Sequence, residues 1–272
     1  MLAQRLLVTI VLLPVALYAI YLGGPVFAVL LALVFGVAAW EYARLFRLGG
    51  FQPSVVLAVL GSAGLVLGRA VDGFESAPWI ITLLVLASMT YHLIAYERGR
   101  DQAGTDFSIT LGGALYIGWL GAYLISLRAL PDGEWWLLTA LPTVWLADSG
   151  AYFVGLNFGR RPLSPRLSPK KTWEGYVGGV VTGVLSGALL AALWRISAGP
   201  DSALTPWAGA LLGLALSTLT PLGDLGESMI KRQVGVKDSS NLLPGHGGMF
   251  DRVDSWLWAG PIAYYLIVWF LR

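Results

Sequence analysis

The sequence predicts an all-α integral membrane protein: a polytopic bundle of about nine transmembrane helices, with the N-terminus cytoplasmic and the C-terminus outside. Three observations predict this class. Of the 272 residues, 56% are hydrophobic and only 12% are charged, whereas soluble domains carry about 25% charged residues. The mean hydropathy is +0.69. Several apolar stretches also reach the roughly 20 residues that a helix needs to cross about 30 Å of hydrocarbon.

The apolar stretches divide into nine predicted spans. In chain order they cover residues 6–22, 25–41, 55–71, 78–96, 109–128, 135–156, 173–194, 207–222 and 255–271. The first span follows Arg5 and therefore also resembles a secretory signal peptide. The charge pattern of the later loops favours an uncleaved first helix. The short alternating segments of an outer-membrane barrel do not dominate the chain.

The distribution of basic residues gives the orientation, because cytoplasmic loops accumulate Lys and Arg. With nine spans and a cytoplasmic N-terminus, fourteen of the 18 basic residues lie on the cytoplasmic side. The four outside are Arg69, Arg128, Arg195 and Arg272. We therefore expect a multi-pass protein of the cell (cytoplasmic) membrane. The chain has no cysteine, which excludes disulfides and thiol catalysis, and its net charge of +2 is too small to indicate a nucleic-acid partner.

The distribution of polar residues along the chain predicts two regions with different roles. Residues 1–130 contain no lysine and only short loops, so they are predicted to form an N-terminal transmembrane scaffold. Residues 131–272 are predicted to form the catalytic region, with cytoplasmic loops at 157–172 and 223–254. All four lysines lie between positions 170 and 237.

The first polar site in the C-terminal region is Asp148, which lies inside an otherwise apolar span. A carboxylate at membrane depth costs several kcal/mol unless it is paired, binds a metal or faces water. Asp148 therefore either faces a polar site built with the two polar segments that follow, or is a polar residue packed against another helix or near a water-filled cavity.

The second site is the segment "SPKKTWEG", where Ser168, Lys170, Lys171 and Thr172 precede a predicted helix. Free backbone N–H groups at a helix N-terminus and two lysines together favour an anion, and phosphate binding is predicted here. The alternative is a loop that only sets topology and contacts anionic lipid headgroups.

The third site is the polar region from Gly223 to Asp254, in which nine of 32 residues are charged. On a helix Asp224, Glu227 and Ser228 share one face, and Asp251, Asp254 and Ser255 repeat that spacing. Two such helix ends could bind one divalent cation. Ligands that are all oxygen suit Mg²⁺, which takes one or two carboxylates and completes its shell with water and phosphates.

Between these helix ends lies a cationic, glycine-rich stretch. It contains Lys231, Arg232 and Lys237, and then His246 among three glycines. Glycine lets a ligand approach the main chain, although a solvated loop of ordinary turns is the alternative, and His246 could serve only to brace the loop. Nucleotide and metalloprotease motifs such as G-x-x-x-x-G-K-[ST] and H-E-x-x-H are absent from the sequence. Lysines, arginines and carboxylates of this kind indicate chemistry on phosphate esters.

The segment "SMIKRQVGVKDSSNLLPGHGGMFDRVD", Ser228 to Asp254, resembles the signature of the phosphatidate cytidylyltransferase (CDP-diglyceride synthetase) family. Every fixed position of that signature is filled. These positions are Ser228, Lys231, Arg232, Lys237, Asp238, Pro244, His246, Gly247, Gly248, Asp251, Arg252 and Asp254. The upstream segments "ADSGAYFVG", "SPKKTWEG" and "GDLGES" also resemble the family.

This resemblance implies the conversion of CTP and phosphatidic acid to CDP-diacylglycerol and pyrophosphate. It also implies a homodimer, Mg²⁺ held by Asp224 and Asp251, and a second cation such as K⁺. Asp148, Glu227 and Asp254 are further candidates for the metal. The predicted catalytic residues are Asp224, Lys231, Asp251, Arg252 and Asp254. Phosphates of the two substrates are expected to contact these residues: Ser168, Lys170, Lys171, Thr172, Ser228, Lys231, Arg232, Lys237, His246 and Arg252.

Three other functions fit the same residues less well. A CTP-dependent lipid kinase, or a cytidylyltransferase for another lipid phosphate, would use similar groups but give different products. A transporter of phosphorylated solutes would need polar residues on both sides of the membrane, and the predicted outer loops are short and poor in charge.

Overall fold

The computed structural model describes residues 2–243, 245 and 247–271, and most of them are helical. The first six helices are α1 (Leu2–Leu22), α2 (Gly24–Leu48), α3 (Val55–Asp72), α4 (Ser76–Glu97), α5 (Ala103–Gly113) and α6 (Tyr123–Arg128). The next five are α7 (Gly133–Phe158), α8 (Trp173–Ala198), α9 (Pro206–Leu219), α10 (Pro221–Gln233) and α11 (Phe250–Leu266). A π-helical stretch, Ala114–Trp119, continues α5, and another, Ile267–Leu271, continues α11.

The predicted loop 157–172 contains a small antiparallel hairpin. Strand β1 (Pro162–Ser164) pairs with β2 (Ser168–Thr172). Such short strands are extended segments that hold a loop in place, and here β2 leads directly into α8.

Six helical segments of the described chain are long and apolar enough to cross a membrane: Gly24–Leu48, Val55–Glu97, Ala103–Arg128, Gly133–Phe158, Trp173–Ala198 and Pro206–Gln233. The second of these contains two helices, α3 and α4, separated by a short turn at Gly73–Glu75, where Gly73 has a φ of 57°. The prediction of a polytopic α-helical membrane protein is confirmed. Each of the nine predicted spans coincides with helical residues in the described chain, while nine crossings and the orientation of the termini stay predictions.

The packing divides the chain into two compact units. Unit 1 comprises Met1–Ser126 and Ile230–Asp254, and unit 2 comprises Leu127–Met229 and Ser255–Arg272. Most of the signature segment therefore packs with the N-terminal helices. The functional division at residue 130 stays a prediction, because packing alone does not say which residues act in catalysis.

Unit 1 is built around α2. The buried side chains of this helix recur at helical spacing and include Leu31, Phe35, Ala38, Tyr42 and Leu45. Glu41 lies among them and is 0% exposed. A buried carboxylate is costly unless hydrogen bonds replace its lost water, so this residue needs partners within the fold.

Unit 2 depends on the close approach of α8 and α9. Gly183 and Gly187 of α8 lie directly against Gly213 and Gly209 of α9. A Cβ at Gly187, Gly209 or Gly213 would overlap the facing backbone, and a Cβ at Gly183 would overlap the Ser217 side chain. Helices that pack in membranes commonly use small residues four apart for such contacts. The pairing is antiparallel, since Gly183 faces Gly213 and Gly187 faces Gly209. It brings the N-terminus of α8 next to the C-terminus of α9, where α10 begins.

Candidate active site

In unit 2 the predicted phosphate-binding segment meets the first predicted carboxylate. The Lys171 ammonium, at the end of β2, donates a hydrogen bond to Oδ2 of Asp224 in the first turn of α10. The side chains of Lys171 and Asp224 are 30% and 34% exposed. The antiparallel packing of α8 and α9 explains the contact, because it places the start of α8 beside the start of α10. The two residues are 53 positions apart.

The prediction that Asp224, Glu227 and Ser228 share one face of α10 agrees in part with the structure. The Ser228 hydroxyl lies 3.4 Å from Oδ1 of Asp224, as expected for residues four apart on a helix. Glu227 is only 2% exposed. Asp224 is thus reached by an ammonium on one oxygen and by a hydroxyl on the other.

Asp148 also belongs to this part of unit 2. It lies on α7, close enough to Lys171 and Asp224 for both of their charges to act on it. Asp148, Tyr176, Ser217 and Thr220 are among the residues that line a small cavity of about 20 Å³, which is room for about one water molecule. This cavity fits both interpretations of Asp148, a residue of a polar site and a polar residue near a water-filled cavity, so its functional role stays a prediction.

The start of α8 is capped by the protein itself. Thr172 is the N-cap, and its Oγ1 accepts a hydrogen bond of 3.1 Å from the Gly175 N–H. The Trp173 N–H donates to the Arg161 carbonyl at 2.9 Å. Two of the N–H groups expected to bind an anion thus have protein partners. An anion here would depend mainly on the lysine side chains, and Lys170 is exposed.

Glu174 links the base of the hairpin to α8. Its Oε2 accepts hydrogen bonds from the backbone N–H groups of Arg160, at 3.0 Å, and Arg161, at 3.2 Å. Arg160 and Arg161, with Trp173, Glu174 and Val177, line an open groove. The hairpin that carries Ser168, Lys170 and Lys171 is therefore fixed at its start and at its end.

In unit 1 the second predicted carboxylate forms a buried ion pair. Lys231 Nζ lies 2.7 Å from Oδ1 of Asp251, and their side chains are 10% and 5% exposed. Oδ2 of Asp251 accepts three further hydrogen bonds: from Ser239 N at 2.9 Å, Ser239 Oγ at 2.8 Å and Gly248 N at 2.7 Å. The sequence analysis predicted Lys231 and Asp251 as site residues, but not their pairing.

Unit 1 also contains a residue that the sequence analysis missed. Four hydrogen-bond donors of residues 239–250 lie between 2.5 and 3.0 Å from the carboxylate oxygens of Glu41, and one of them, the Ser239 hydroxyl, is shared with Asp251. The sequence signal was weak, because Glu41 is the last residue of the predicted span 25–41, and a carboxylate at the end of a span is common. It was passed over because residues 1–130 were interpreted as scaffold.

The remaining predicted cations of unit 1 are accessible. Arg232, Lys237 and Arg252 are exposed, and Arg232 Nη1 donates to the Val236 carbonyl at 3.0 Å. Asp254 is half-buried. His246, predicted as a binding residue, lies outside the described residues.

The carboxylates are compatible with Mg²⁺ but form no large cluster. Within residues 2–243, 245 and 247–271, no group of three or more His, Cys, Asp or Glu side chains could hold a metal ion. One or two carboxylates are enough for Mg²⁺ when phosphates and water supply the other ligands. Asp224 fits that role, because the Lys171 ammonium already lies beside its carboxylate at a position where a cation can bind. Asp251 is already engaged by Lys231 on Oδ1 and by Ser239 and Gly248 on Oδ2, so Asp224 is the more accessible of the two carboxylates.

Comparison with known proteins identifies the family. The model of the cytidylyltransferase family matches residues 3–270. A phosphatidate cytidylyltransferase of Pseudomonas aeruginosa is 40% identical over 270 residues, which cover 96% of this chain and 95% of the relative. Enzymes of the same name from Bacillus subtilis, 35% identical over 98% of both chains, and Synechocystis, 34% identical over 97% of this chain and 96% of the relative, are also similar. The chain belongs to the cytidylyltransferase family.

Proposed function

We propose that this protein is a nucleotidyltransferase that converts CTP and phosphatidic acid to CDP-diacylglycerol and pyrophosphate. The observation that carries the proposal is the match over nearly the whole chain to enzymes named phosphatidate cytidylyltransferase. The polytopic helical fold supports it, since phosphatidic acid stays in the bilayer. The position of the predicted site residues at helix ends and loops supports it as well.

The reaction joins two polyanions. A phosphate oxygen of phosphatidic acid attacks the α-phosphorus of CTP, a new P–O bond forms, and the bond to the bridging oxygen of pyrophosphate breaks. Phosphatidic acid is already largely ionised at neutral pH, because the second pKa of a phosphate monoester is about 6. Catalysis therefore depends on positioning and on neutralising charge rather than on a strong base.

The cations of the chain suit that task. Lys170, Arg232, Lys237 and Arg252 are exposed and available to the phosphates of CTP and of the lipid. Lys171 and Lys231 are each held by a carboxylate, which fixes their ammonium groups in place. A fixed cation stabilises developing charge without having to reorganise during the reaction.

The metal remains a prediction from the sequence. Asp224 and Asp251 are proposed to bind Mg²⁺, with Asp148, Glu227 and Asp254 as further candidates and K⁺ as a second cation. When bound, Mg²⁺ would neutralise the phosphates of the nucleotide and of the leaving pyrophosphate.

The membrane arrangement is also proposed. Nine spans, a cytoplasmic N-terminus and an outside C-terminus would open the site to cytosolic CTP and to lipid of the inner leaflet, and the enzyme would be a homodimer in the cytoplasmic membrane. Because the chain has no cysteine, single introduced cysteines can test the orientation. An impermeant maleimide added to intact cells should label Asp201→Cys and leave Gln102→Cys unlabelled. The reverse pattern would overturn the orientation.

The activity is tested with purified protein, labelled CTP, phosphatidic acid and Mg²⁺ in detergent or lipid vesicles. CDP-diacylglycerol and pyrophosphate are expected in equal amounts. Release of CDP instead would indicate a CTP-dependent lipid kinase, and turnover only with another lipid phosphate would change the substrate. A folded protein that forms no liponucleotide would refute the proposal.

A further inference from the structure

The inference concerns Glu41 on α2 and the loop formed by residues 239–250, called the 239–250 loop below. Glu41 is 0% exposed. It accepts hydrogen bonds from residues 198 to 209 positions later in the chain. We infer that Glu41 is a positioning residue, which holds the 239–250 loop so that Asp251 and Lys231 are correctly placed for the reaction. The kinetic part of this inference rests on the proposed function.

The hydrogen bonds of Glu41 are evenly divided between its two oxygens. Oε1 accepts from Ser240 Oγ at 2.5 Å and from Met249 N at 3.0 Å. Oε2 accepts from Ser239 Oγ at 3.0 Å and from Phe250 N at 2.7 Å. These donors lie at the beginning and at the end of the 239–250 loop, so a single carboxylate fixes both ends.

Ser239 extends this arrangement to Asp251. Its hydroxyl lies 3.0 Å from Oε2 of Glu41 and 2.8 Å from Oδ2 of Asp251. One hydroxyl carries one proton and can donate to only one carboxylate at a time. The Ser239 N–H donates separately to Asp251 at 2.9 Å. If Ser239 moves away from Glu41, its hydrogen bonds to Asp251 therefore change, and the Asp251 carboxylate that pairs with Lys231 shifts with them.

Gly248 shows how closely these groups approach. Its N–H donates to Oδ2 of Asp251 at 2.7 Å. A Cβ on Gly248 would overlap the Ser239 hydroxyl and both oxygens of Glu41. Only glycine fits between the two carboxylates at this point of the chain. The arrangement is thus a tight backbone fit around Glu41 and not a flexible surface contact.

The pattern of donors makes glutamine a poor substitute for Glu41. Each carboxylate oxygen accepts one hydroxyl, which can turn, and one backbone N–H, which cannot. In either orientation the amide NH₂ of Glu41→Gln would face a backbone N–H of Met249 or Phe250. A donor facing a donor cannot form a hydrogen bond, and a buried unsatisfied group is costly. The end of the 239–250 loop should therefore move away from α2.

Glu41→Gln is expected to lower kcat about 10- to 100-fold, because small misplacements of reacting groups have effects of that order. The KM for CTP should stay within about threefold of the wild-type value, since Glu41 itself does not touch substrate. Hydrogen exchange of peptides covering Met249 and Phe250 should become faster, which reports loop opening without any assay of activity.

Asp106→Asn is the matched control. Asp106 is also a buried carboxylate of unit 1, 0% exposed, but its described partners are Gln52 N at 2.7 Å and Arg100 Nε at 2.7 Å. This variant is expected to lose thermal stability while keeping its kcat per folded protein and the wild-type exchange of the 239–250 loop. An equal loss of kcat in both variants at matched stability would reduce Glu41 to a general fold residue and overturn the inference.

Two further outcomes are decisive. Wild-type exchange in Glu41→Gln, with or without a change in kcat, would overturn the inference. If Glu41→Gln cannot be purified, Ser240→Ala removes one hydroxyl donor from the same carboxylate, and unchanged loop exchange in that variant would overturn it as well. If the wild type makes no CDP-diacylglycerol, the proposed function fails, while the exchange measurements still decide whether Glu41 holds the loop.

Discussion

Two lysine–aspartate pairs in the described part of the chain, Lys231–Asp251 and Lys171–Asp224, have the same chemistry in different surroundings. In unit 1 the Lys231 and Asp251 side chains are 10% and 5% exposed, and Asp251 accepts three further hydrogen bonds from Ser239 and Gly248. In unit 2 the Lys171 and Asp224 side chains are 30% and 34% exposed, and Ser228 is the further described donor to Asp224. The first pair is enclosed by its loop, while the second is open.

The different exposure of the two carboxylates limits what each can do. A buried pair must offset the cost of removing two charges from water, and Asp251 does so through several additional hydrogen bonds. Its position is therefore fixed before any substrate arrives. Asp224 lacks that enclosure and keeps capacity for another ligand. We interpret Asp251 as part of a preformed framework and Asp224 as the carboxylate more accessible to a cation or a phosphate-bound metal.

Among the variants of the two pairs, Asp251→Asn should have the largest effect on stability and on turnover. The substitution removes one charge of a buried pair while the Lys231 ammonium stays buried, and breaking such a pair typically costs about 3–5 kcal/mol. Turnover should be lost as well. Thermal unfolding in detergent and CDP-diacylglycerol formation would measure the two effects, and a variant with near wild-type stability and activity would show that the pair is less important than its burial suggests.

A double variant separates the two effects of Asp251→Asn. Removing both charges, in Asp251→Asn with Lys231→Gln, should restore much of the lost stability because the two charges of the buried pair are removed together. Activity should stay absent, because the framework groups are gone. Recovery of activity together with stability would mean that Asp251 and Lys231 serve only the fold.

Gly248→Ala tests the tight packing around the first pair. The added methyl group would overlap Ser239 and Glu41, and overpacking of this kind typically costs about 1–3 kcal/mol. Gly104→Ala is the control, because a Cβ at Gly104 in α5 has no neighbour within 4 Å, and Ala is the better helix former. The free energy of unfolding should fall only for Gly248→Ala; equal stability of both variants would contradict the close fit.

Thr172→Ala tests the frame around the second pair. Loss of the N-cap hydrogen bond to Gly175 should cost about 1 kcal/mol. Thr205 caps α9 in the same way, through a 3.1 Å bond from Ala208 N, so Thr205→Ala should lose similar stability. The KM for CTP should rise only in Thr172→Ala, because Thr172 follows Lys171. Equal KM values in the two variants would limit Thr172 to capping.

The sequence predicted the helices and most of the polar residues, because both depend on local composition. Hydropathy located the apolar helices, and helical spacing placed Ser228 beside Asp224. The hairpin β1–β2 was predicted only as a loop, since strands of three and five residues show too little alternation to be recognised. No local pattern links Lys231 with Asp251 across 20 positions. Glu41 joins residues about 200 positions away, and such contacts follow from tertiary packing alone.

Lys171→Gln should have the smallest effect on stability, which makes it the most direct test of whether exposure distinguishes the two pairs. Exposed ion pairs contribute about 0–1 kcal/mol, and the Lys171–Asp224 pair is about one-third exposed, so the free energy of unfolding should barely change. The KM for CTP should nevertheless rise about tenfold, the effect of losing roughly 1.4 kcal/mol of phosphate binding. Arg166→Gln removes an exposed cation from the same hairpin and should leave KM near the wild-type value. If Lys171→Gln instead destabilises the protein as strongly as Asp251→Asn, the open pair is a framework pair too, and exposure does not separate binding groups from structural ones in this fold.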